Sequence, residues 1–232
     1  MTEKETLQVD GNDHTEEQKC VTGVPSRDEI SPPKGLYQSF VKPLYDKVFS
    51  FFLLISIAPV LLLLALLVKI DSKGPAIFKQ KRVGLLGKVF TIYKFRSMRE
   101  PNGLGENPFT AKNDPRLTRI GKIIRDVRAD ELPQLWNVLK GDMSLIGPRP
   151  EQVEIVKQLN SSLPDYHLRH IVKPGITGWA QVKYKYTDTK SDVPQKLQYD
   201  FYYIQNMSFK IDLYIIFATL RVVLSGQNRG ER

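Results

Sequence analysis

Lys47 and Lys69 bracket 21 residues without a charge, most of them apolar. As a straight helix this run reaches about 30 Å, the thickness of a bilayer core. A chain carrying it is membrane-bound, and everything else must be arranged beside that element. Pro59 lies near the middle of the run, where it removes a backbone hydrogen bond and bends the helix. Transmembrane helices tolerate proline, so residues 48–68 alone leave a spanning helix and a bent one both open. Flanking charge is unequal: residues 28–47 hold Lys34, Lys42 and Lys47, whereas residues 69–88 hold Lys69, Lys73, Lys79, Lys81, Arg82 and Lys88. Positive charge stays on the cytoplasmic side, which puts the C-terminal body there under either topology.

The chain divides by composition. Residues 1–33 carry three basic and eight acidic side chains, net −5, so with an overall charge of +9 the remainder carries +14. That stretch lacks apolar periodicity and a signal-peptide pattern and reads as a disordered acidic tail. Residues 34–70 read as the anchor, and residues 71–232 as a separate domain on the cytoplasmic face. A basic body implies an acidic partner, whether nucleic acid, lipid headgroup or phosphate-bearing metabolite. Cys20 is the only cysteine and lies in the tail, and His14, His167 and His170 form no zinc-type constellation, so soft-ligand metal chemistry is not expected.

Ala76 to Val83 and Lys88 to Met98 are short, rich in aromatic and β-branched residues, and parted by Gly84-Leu85-Leu86-Gly87, which predicts a β-hairpin. Lys94 and Arg96 then share one face of its second strand, as do Lys79 and Lys81 on the first. Glu100 to Lys112 reads as a mobile loop. Asp114-Pro115 opens a helix with Leu117, Ile120, Ile124 and Val127 on its apolar face, and with Arg116, Arg119, Lys122 and Arg125 on another. Such a basic amphipathic helix suits an anionic lipid surface or a phosphate pocket, though a solvated face accounts for most of its charges.

Leu132, Leu135, Trp136 and Leu139 recur at helical spacing before Gly141, so a helix is predicted over 132–140 with Asp130 and Glu131 at its N-terminus. Exposed N–H groups and the helix dipole favour ionised carboxylates there. An anion so held is an N-cap, a metal ligand or a nucleophile. Gly147-Pro148-Arg149-Pro150 adds an arginine stiffened by two prolines, whose planar fork suits phosphate. Together these are parts that phosphoryl transfer requires. Further on, Glu151 to Leu159 reads as a helix, 173–179 as a tight turn, and Lys196 to Asn206 and Ile211 to Leu224 as two C-terminal helices.

Four segments in order, Tyr93-Lys94-Phe95-Arg96-Ser97-Met98, Lys140-Gly141-Asp142-Met143-Ser144, Gly147-Pro148-Arg149-Pro150 and 173–182 (Lys-Pro-Gly-Ile-Thr-Gly-Trp-Ala-Gln-Val), resemble the bacterial sugar transferases, the small monotopic phosphoglycosyl transferases. The resemblance runs from about Lys42 to Leu224. It implies an α+β, mainly helical fold, anchored by one re-entrant N-terminal helix broken at Pro59, with a small β-hairpin and amphipathic helices at the interface. It further implies transfer of a sugar phosphate from a UDP-sugar to polyprenyl (undecaprenyl) phosphate, with release of UMP and an aspartyl phosphosugar intermediate, as the first membrane step of glycan synthesis. Asp130 and Glu131 become catalytic and Mg²⁺-binding residues, Arg149, Lys94 and Arg96 bind substrate phosphate, and Asp200 and Asp142 are supporting acids. The setting is a bacterial inner membrane; nucleic acid is not an expected partner, and a homodimer is compatible with the chain without being required. Two features depart from the family: Ala58 replaces the usual serine before the proline, and Lys183-Tyr184-Lys185-Tyr186 replaces a segment that bears on sugar choice. The competing reading is a membrane-tethered basic binding module without chemistry.

Overall fold

The computed structural model describes residues 30, 31, 33–99, 114–184 and 192–225. Residues 1–29 of the acidic tail, with Cys20 and His14, the segment 100–112, and Lys185 and Tyr186 lie outside the described residues, whereas Ile30 of that tail is buried in the core.

The apolar run forms α1, Lys42–Asp71, entered through a π-helical turn at Tyr37–Val41. The helix continues through Pro59, and Ser56 Oγ donates to the Phe52 carbonyl at 2.9 Å in the preceding turn, a back-bond that favours bending. It is long and apolar enough to anchor the chain in a membrane. One stripe packs on the body: Leu53, Leu54 and Ile57 against the main core, and Leu61, Leu64, Ala65 and Val68 against a smaller cluster with Phe95 and Ile124. The opposite stripe, including Phe52, Ile55, Leu62 and Leu66, is exposed, an apolar surface of the kind that membrane contact covers.

The predicted hairpin is present as β1, Ile77–Val83, and β2, Val89–Phe95, antiparallel with Ile77 opposite Phe95. Gly87 at φ +78 lets the chain reverse between them. The basic helix is shorter than its pattern: α2 covers Arg119–Asp126, because Thr118 rather than Asp114 caps it, its hydroxyl accepting from the Gly121 N–H at 2.9 Å. Asp114 instead holds Arg116 in the turn before it.

The predicted helix over 132–140 is split. A 3₁₀ turn occupies Ala129–Gln134 and α3 covers Leu135–Lys140, ended by Gly141 at φ +86. Pro133 has no N–H to donate inside this stretch, which suits the tighter turn before the α-helix starts. Asp130 and Glu131 therefore lie within the 3₁₀ turn rather than at the N-terminus of α3.

Residues 173–179 are more than a turn. Gly175–Thr177 forms β4, parallel to β3, Ser144–Ile146. Three glycines make this crossing feasible: a Cβ on Gly147 would strike the Lys173 carbonyl, and one on Gly175 or Gly178 would strike the backbone of Gly147. Then follow α4, Val153–Ser162, a 3₁₀ turn at Tyr166–Ile171, α5, Trp179–Lys183, α6, Val193–Gln205, and α7, Phe209–Ser225. The described fold is thus mostly helical, with two small two-stranded sheets.

A buried polar knot joins the start of α1 to the body. Asp212, in α7, accepts from Lys42 Nζ and Tyr37 Oη at 2.6 Å each and from Tyr203 Oη at 2.7 Å. Asp46 accepts from Ser144 Oγ at 2.6 Å and from the Leu145 N–H at 3.3 Å. Charged groups this deeply buried are retained only with such partners.

Candidate active site

The site is assembled by β2, the 3₁₀ turn and the segment after β3. Glu131 Oε1 accepts from Lys94 Nζ at 3.1 Å and from Arg149 Nη2 at 2.9 Å. Three residues named from the sequence, 37 and 18 positions apart, therefore meet at one carboxylate oxygen. Asp130, adjacent in the turn, is buried with Glu131 and acts electrostatically on Lys94. Lys94 and Arg149 keep part of their side chains accessible, 16% and 26%, so both can reach an incoming anion.

Burial pushes the Lys94 ammonium below its ordinary range and Arg149 pushes the same way, while Glu131 and Asp130 oppose them. A bound phosphate would act as the carboxylates do, strengthening the charged form. The geometry is that of two cations and two carboxylates around one small volume, arranged for phosphate charge.

A second layer fixes Arg149 from behind. Arg169 donates from Nε and Nη2 to Asp200 Oδ2 at 2.9 and 2.7 Å, and from Nη2 to the Arg149 carbonyl at 2.9 Å. Its Nη1 reaches the Tyr166 hydroxyl at 2.9 Å. Asp200 is therefore a buried ion-pair partner, one layer removed from Glu131. Burial raises its pKa and Arg169 counters that; the Arg169 guanidinium, penalised by burial, is held charged by Asp200. The same burial, with the Arg169 charge, drives the His170 imidazole down to about 4, so it is neutral at physiological pH.

Arg96 and Asp142 stand elsewhere. β2 ends at Phe95, so the two-residue alternation that would put Arg96 beside Lys94 stops there. Arg96 Nη2 instead donates to the Ser72 carbonyl at 2.6 Å and to the Val68 carbonyl at 3.3 Å, a cation on the C-terminal end of α1. Asp142 pairs with Lys140 at 3.1 Å and lies 3.5 Å from Asn137 Nδ2, beside the end of α3. Trp179 packs inward, stacked on Tyr202 with centroids 5.1 Å apart. Among the described residues no cluster of three or more His, Cys, Asp or Glu side chains forms a metal site. Sequence reasoning missed Arg169, which sits in a short turn with no periodicity to expose it. It also passed over Lys42, Asp46 and Asp212, whose signal is a charge at the edge of, or inside, an otherwise apolar helix.

The family model described as bacterial sugar transferase matches residues 37–226. The chain belongs to that family. Among curated relatives of this family member, a UDP-N-acetylgalactosamine-undecaprenyl-phosphate N-acetylgalactosaminephosphotransferase of Aeromonas hydrophila is 46% identical over 194 residues, 84% of this chain and 46% of the relative. A UDP-glucose:undecaprenyl-phosphate glucose-1-phosphate transferase of Klebsiella pneumoniae is 45% identical over 208 residues, 89% of this chain and 44% of the relative. The chain thus spans less than half the length of these two. An exopolysaccharide production protein of Rhizobium leguminosarum bv. phaseoli is 42% identical over 200 residues, with 82% of this chain and 97% of the relative covered. All four motif segments fall inside the matched region.

Proposed function

We propose that this protein transfers a sugar phosphate from a UDP-sugar to undecaprenyl phosphate at a membrane surface, releasing UMP. The observation that carries the reading is the convergence of Lys94 and Arg149 on Glu131, next to Asp130, in a chain whose relatives bear the names of such transferases. In the first step a carboxylate oxygen of Asp130 bonds to the β-phosphorus of the donor as the bond to the UMP oxygen breaks, leaving an acyl phosphate. In the second, an oxygen of the lipid phosphate bonds to that phosphorus and the carboxylate is regenerated. Arg149, with Lys94, stabilises charge on the transferring group, and Glu131 holds both cations at the reacting side. Asp130 and Glu131 are also the residues that would hold Mg²⁺. Two hard carboxylates without a larger protein cage suit an ion that binds through one or two carboxylates plus substrate phosphates. When bound, Mg²⁺ offsets diphosphate charge.

The reading extends to the anchor. Both ends of α1 are bonded to one body, Asp46 to Ser144 and Leu145, and the Val68 and Ser72 carbonyls to Arg96. A straight 30-residue helix is about 45 Å long, so ends on opposite membrane faces do not fit one-sided attachment. A re-entrant path bent at Pro59 does, with both ends on the cytoplasmic side. The sugar stays open, since relatives at 46% and 45% identity carry names with different sugars.

The test is UMP release by the detergent-solubilised protein with Mg²⁺, undecaprenyl phosphate and a panel of UDP-sugars, with Asp130→Asn run beside it. Donor-dependent release that the amide abolishes is the expected result. Undiminished release from Asp130→Asn would remove Asp130 as nucleophile.

A further inference from the structure

Three successive carbonyls around Arg149 are each held by a donor from a different part of the chain. The Gly175 N–H donates to the Pro148 carbonyl at 3.0 Å, Arg169 Nη2 to the Arg149 carbonyl at 2.9 Å, and Arg82 Nη1 to the Pro150 carbonyl at 3.0 Å. Pro148 and Pro150 have no N–H to donate, so carbonyls are the handles by which this segment is fixed.

Arg82 comes from the end of β1, where its own fork is set. Its Nε and Nη2 donate to Gln80 Oε1 at 3.0 and 2.7 Å, and its side chain is 13% exposed. The Val83 N–H donates to the Glu151 carbonyl at 3.0 Å, and Arg82 forms an antiparallel bridge with Gln152, so β1 lies directly against the chain after Pro150. The Glu151 carboxylate is 3.5 Å from Arg82 Nη1, long for a charge-assisted bond. Gln80 and the Pro150 carbonyl, rather than that acid, therefore set where the guanidinium points.

Strand register ties this contact to the active site. Arg82 lies opposite Phe90, Gln80 opposite Ile92 and Phe78 opposite Lys94, and residues directly opposite share a face. One hairpin face thus reaches both ends of the site, Lys94 at Glu131 and Arg82 at the carbonyl that follows Arg149. Because Arg149 Nη2 also donates to Glu131, the contacts close a ring from β2 through Glu131, Arg149 and Pro150 back to β1. The Arg82 charge also acts on Lys94, in the same direction as that of Arg149. Without Arg82 the ring opens on the C-terminal side of Arg149, and a small tilt there is amplified at the far end of a long side chain.

We propose that Arg82 is a positioning residue for the transfer: by holding the Pro150 carbonyl it fixes how the Arg149 guanidinium meets the transferring phosphate. The proposal rests on the function proposed above and adds to that centre a residue that acts through Arg149.

The test measures UMP release by the solubilised full chain, with Mg²⁺, undecaprenyl phosphate and each UDP-sugar of the panel, for Arg82→Met, Arg149→Met and the double variant. Arg82→Met should lower kcat roughly ten- to hundredfold, as for a misplaced group at the transition state, with donor KM moving by less than about twofold. In the Arg149→Met background the same substitution should cost nothing further, since a residue that acts through another is silent once that other is gone. A fold defect would act alike in both backgrounds. Glu151→Gln, which leaves the carbonyl bond in place, should turn over like the parent. Unchanged kcat in Arg82→Met, equal losses in both backgrounds, or the same loss in Glu151→Gln would overturn the proposal. Hydrogen exchange without substrate reads the contact apart from turnover, and Arg82→Met should quicken exchange over residues 144–153 but not over α6. Quickened exchange there, with no UMP release from the parent on any donor, would sink the transferase reading and leave the hold on Arg149 standing. Unchanged exchange would remove the hold itself.

Discussion

Replacing Asp200 by Asn tests how far the site depends on a charge pair that never touches substrate. Asp200 and Arg169 are each 6% exposed at the side chain, and one carboxylate oxygen takes two of the guanidinium's bonds. The amide keeps the shape but removes the counter-charge, leaving Arg169 buried among neutral acceptors, the amide oxygen at position 200 and, in two surviving bonds, the Tyr166 hydroxyl and the Arg149 carbonyl. Breaking one side of a buried pair costs about 3–5 kcal/mol, and the two surviving bonds favour the lower end. At roughly 2–4 °C per kcal/mol for a body of this size, the melting temperature should fall by about 6–12 °C. Thermal unfolding of the solubilised protein, followed by intrinsic fluorescence at neutral pH, measures it. Turnover should fall as well, through kcat more than donor KM, because Arg169, no longer held by the Asp200 charge, positions the Arg149 backbone less firmly. The double variant Arg169→Met with Asp200→Leu removes both charges and should recover most of the stability. It should not recover turnover, since the Arg169 bond to the Arg149 carbonyl is lost. A single variant that melts with the parent, or a double variant with full turnover, would refute the reasoning.

Two further outcomes follow from the same body. His170 is held near 4 against an ordinary 6.5, so the folded state binds fewer protons between those values and stability is lost as pH falls from about 6.5 toward 4. The loss approaches about 3 kcal/mol, and His170→Gln should flatten that part of a melting-temperature profile; an unchanged profile would show that other groups cause it. Gly147→Ala places a Cβ against the Lys173 carbonyl, which cannot rotate away, so it should cost about 3 kcal/mol or more and displace Arg149 two residues later. Melting temperature and UMP release should drop together, and a fully stable variant would mean that the crossing is looser than described.

What was legible in the sequence was what is local. The apolar run, the hairpin and the two C-terminal helices announce themselves because their periods are set by their own residues. The meeting of Lys94, Glu131 and Arg149 was legible only through motif resemblance, since no spacing relates positions 94, 131 and 149. The misreadings have one physical source. Arg96 belonged to a strand face expected to run to Met98, but the strand ends at Phe95, and a stronger demand, the bare carbonyls of α1, took the guanidinium. Residues 173–179 read as a turn because Pro174, Gly175 and Gly178 are turn residues. In fact those glycines let two backbones touch, and the partner, Gly147, is distant in sequence. Asp200, expected as a supporting acid, is paired with Arg169, which carried no signal at all.

The hydrogen bonds of α1 bear directly on catalysis at a surface. Arg96, which grips the Val68 and Ser72 carbonyls, follows Lys94 by two residues on the same stretch of chain. Asp71 accepts from the Ile120 N–H at 2.9 Å and so fixes the first turn of α2, whose far end leads into the turn of Asp130 and Glu131. Asp46 holds Ser144 and Leu145 of β3, after which the chain runs to Arg149. Each of the three segments that supply the site is thus bonded to α1, the described helix long and apolar enough to anchor the chain in a membrane. A flexible tether would let the site wander over tens of ångströms in height, because its span grows with the root of its length. Direct bonding leaves no such freedom, so the depth at which α1 settles in the lipid is also the depth of Asp130. Under the proposed function, with a cytosolic nucleotide and a lipid whose phosphate stays at headgroup level, that shared depth is what would bring both phosphates to Asp130.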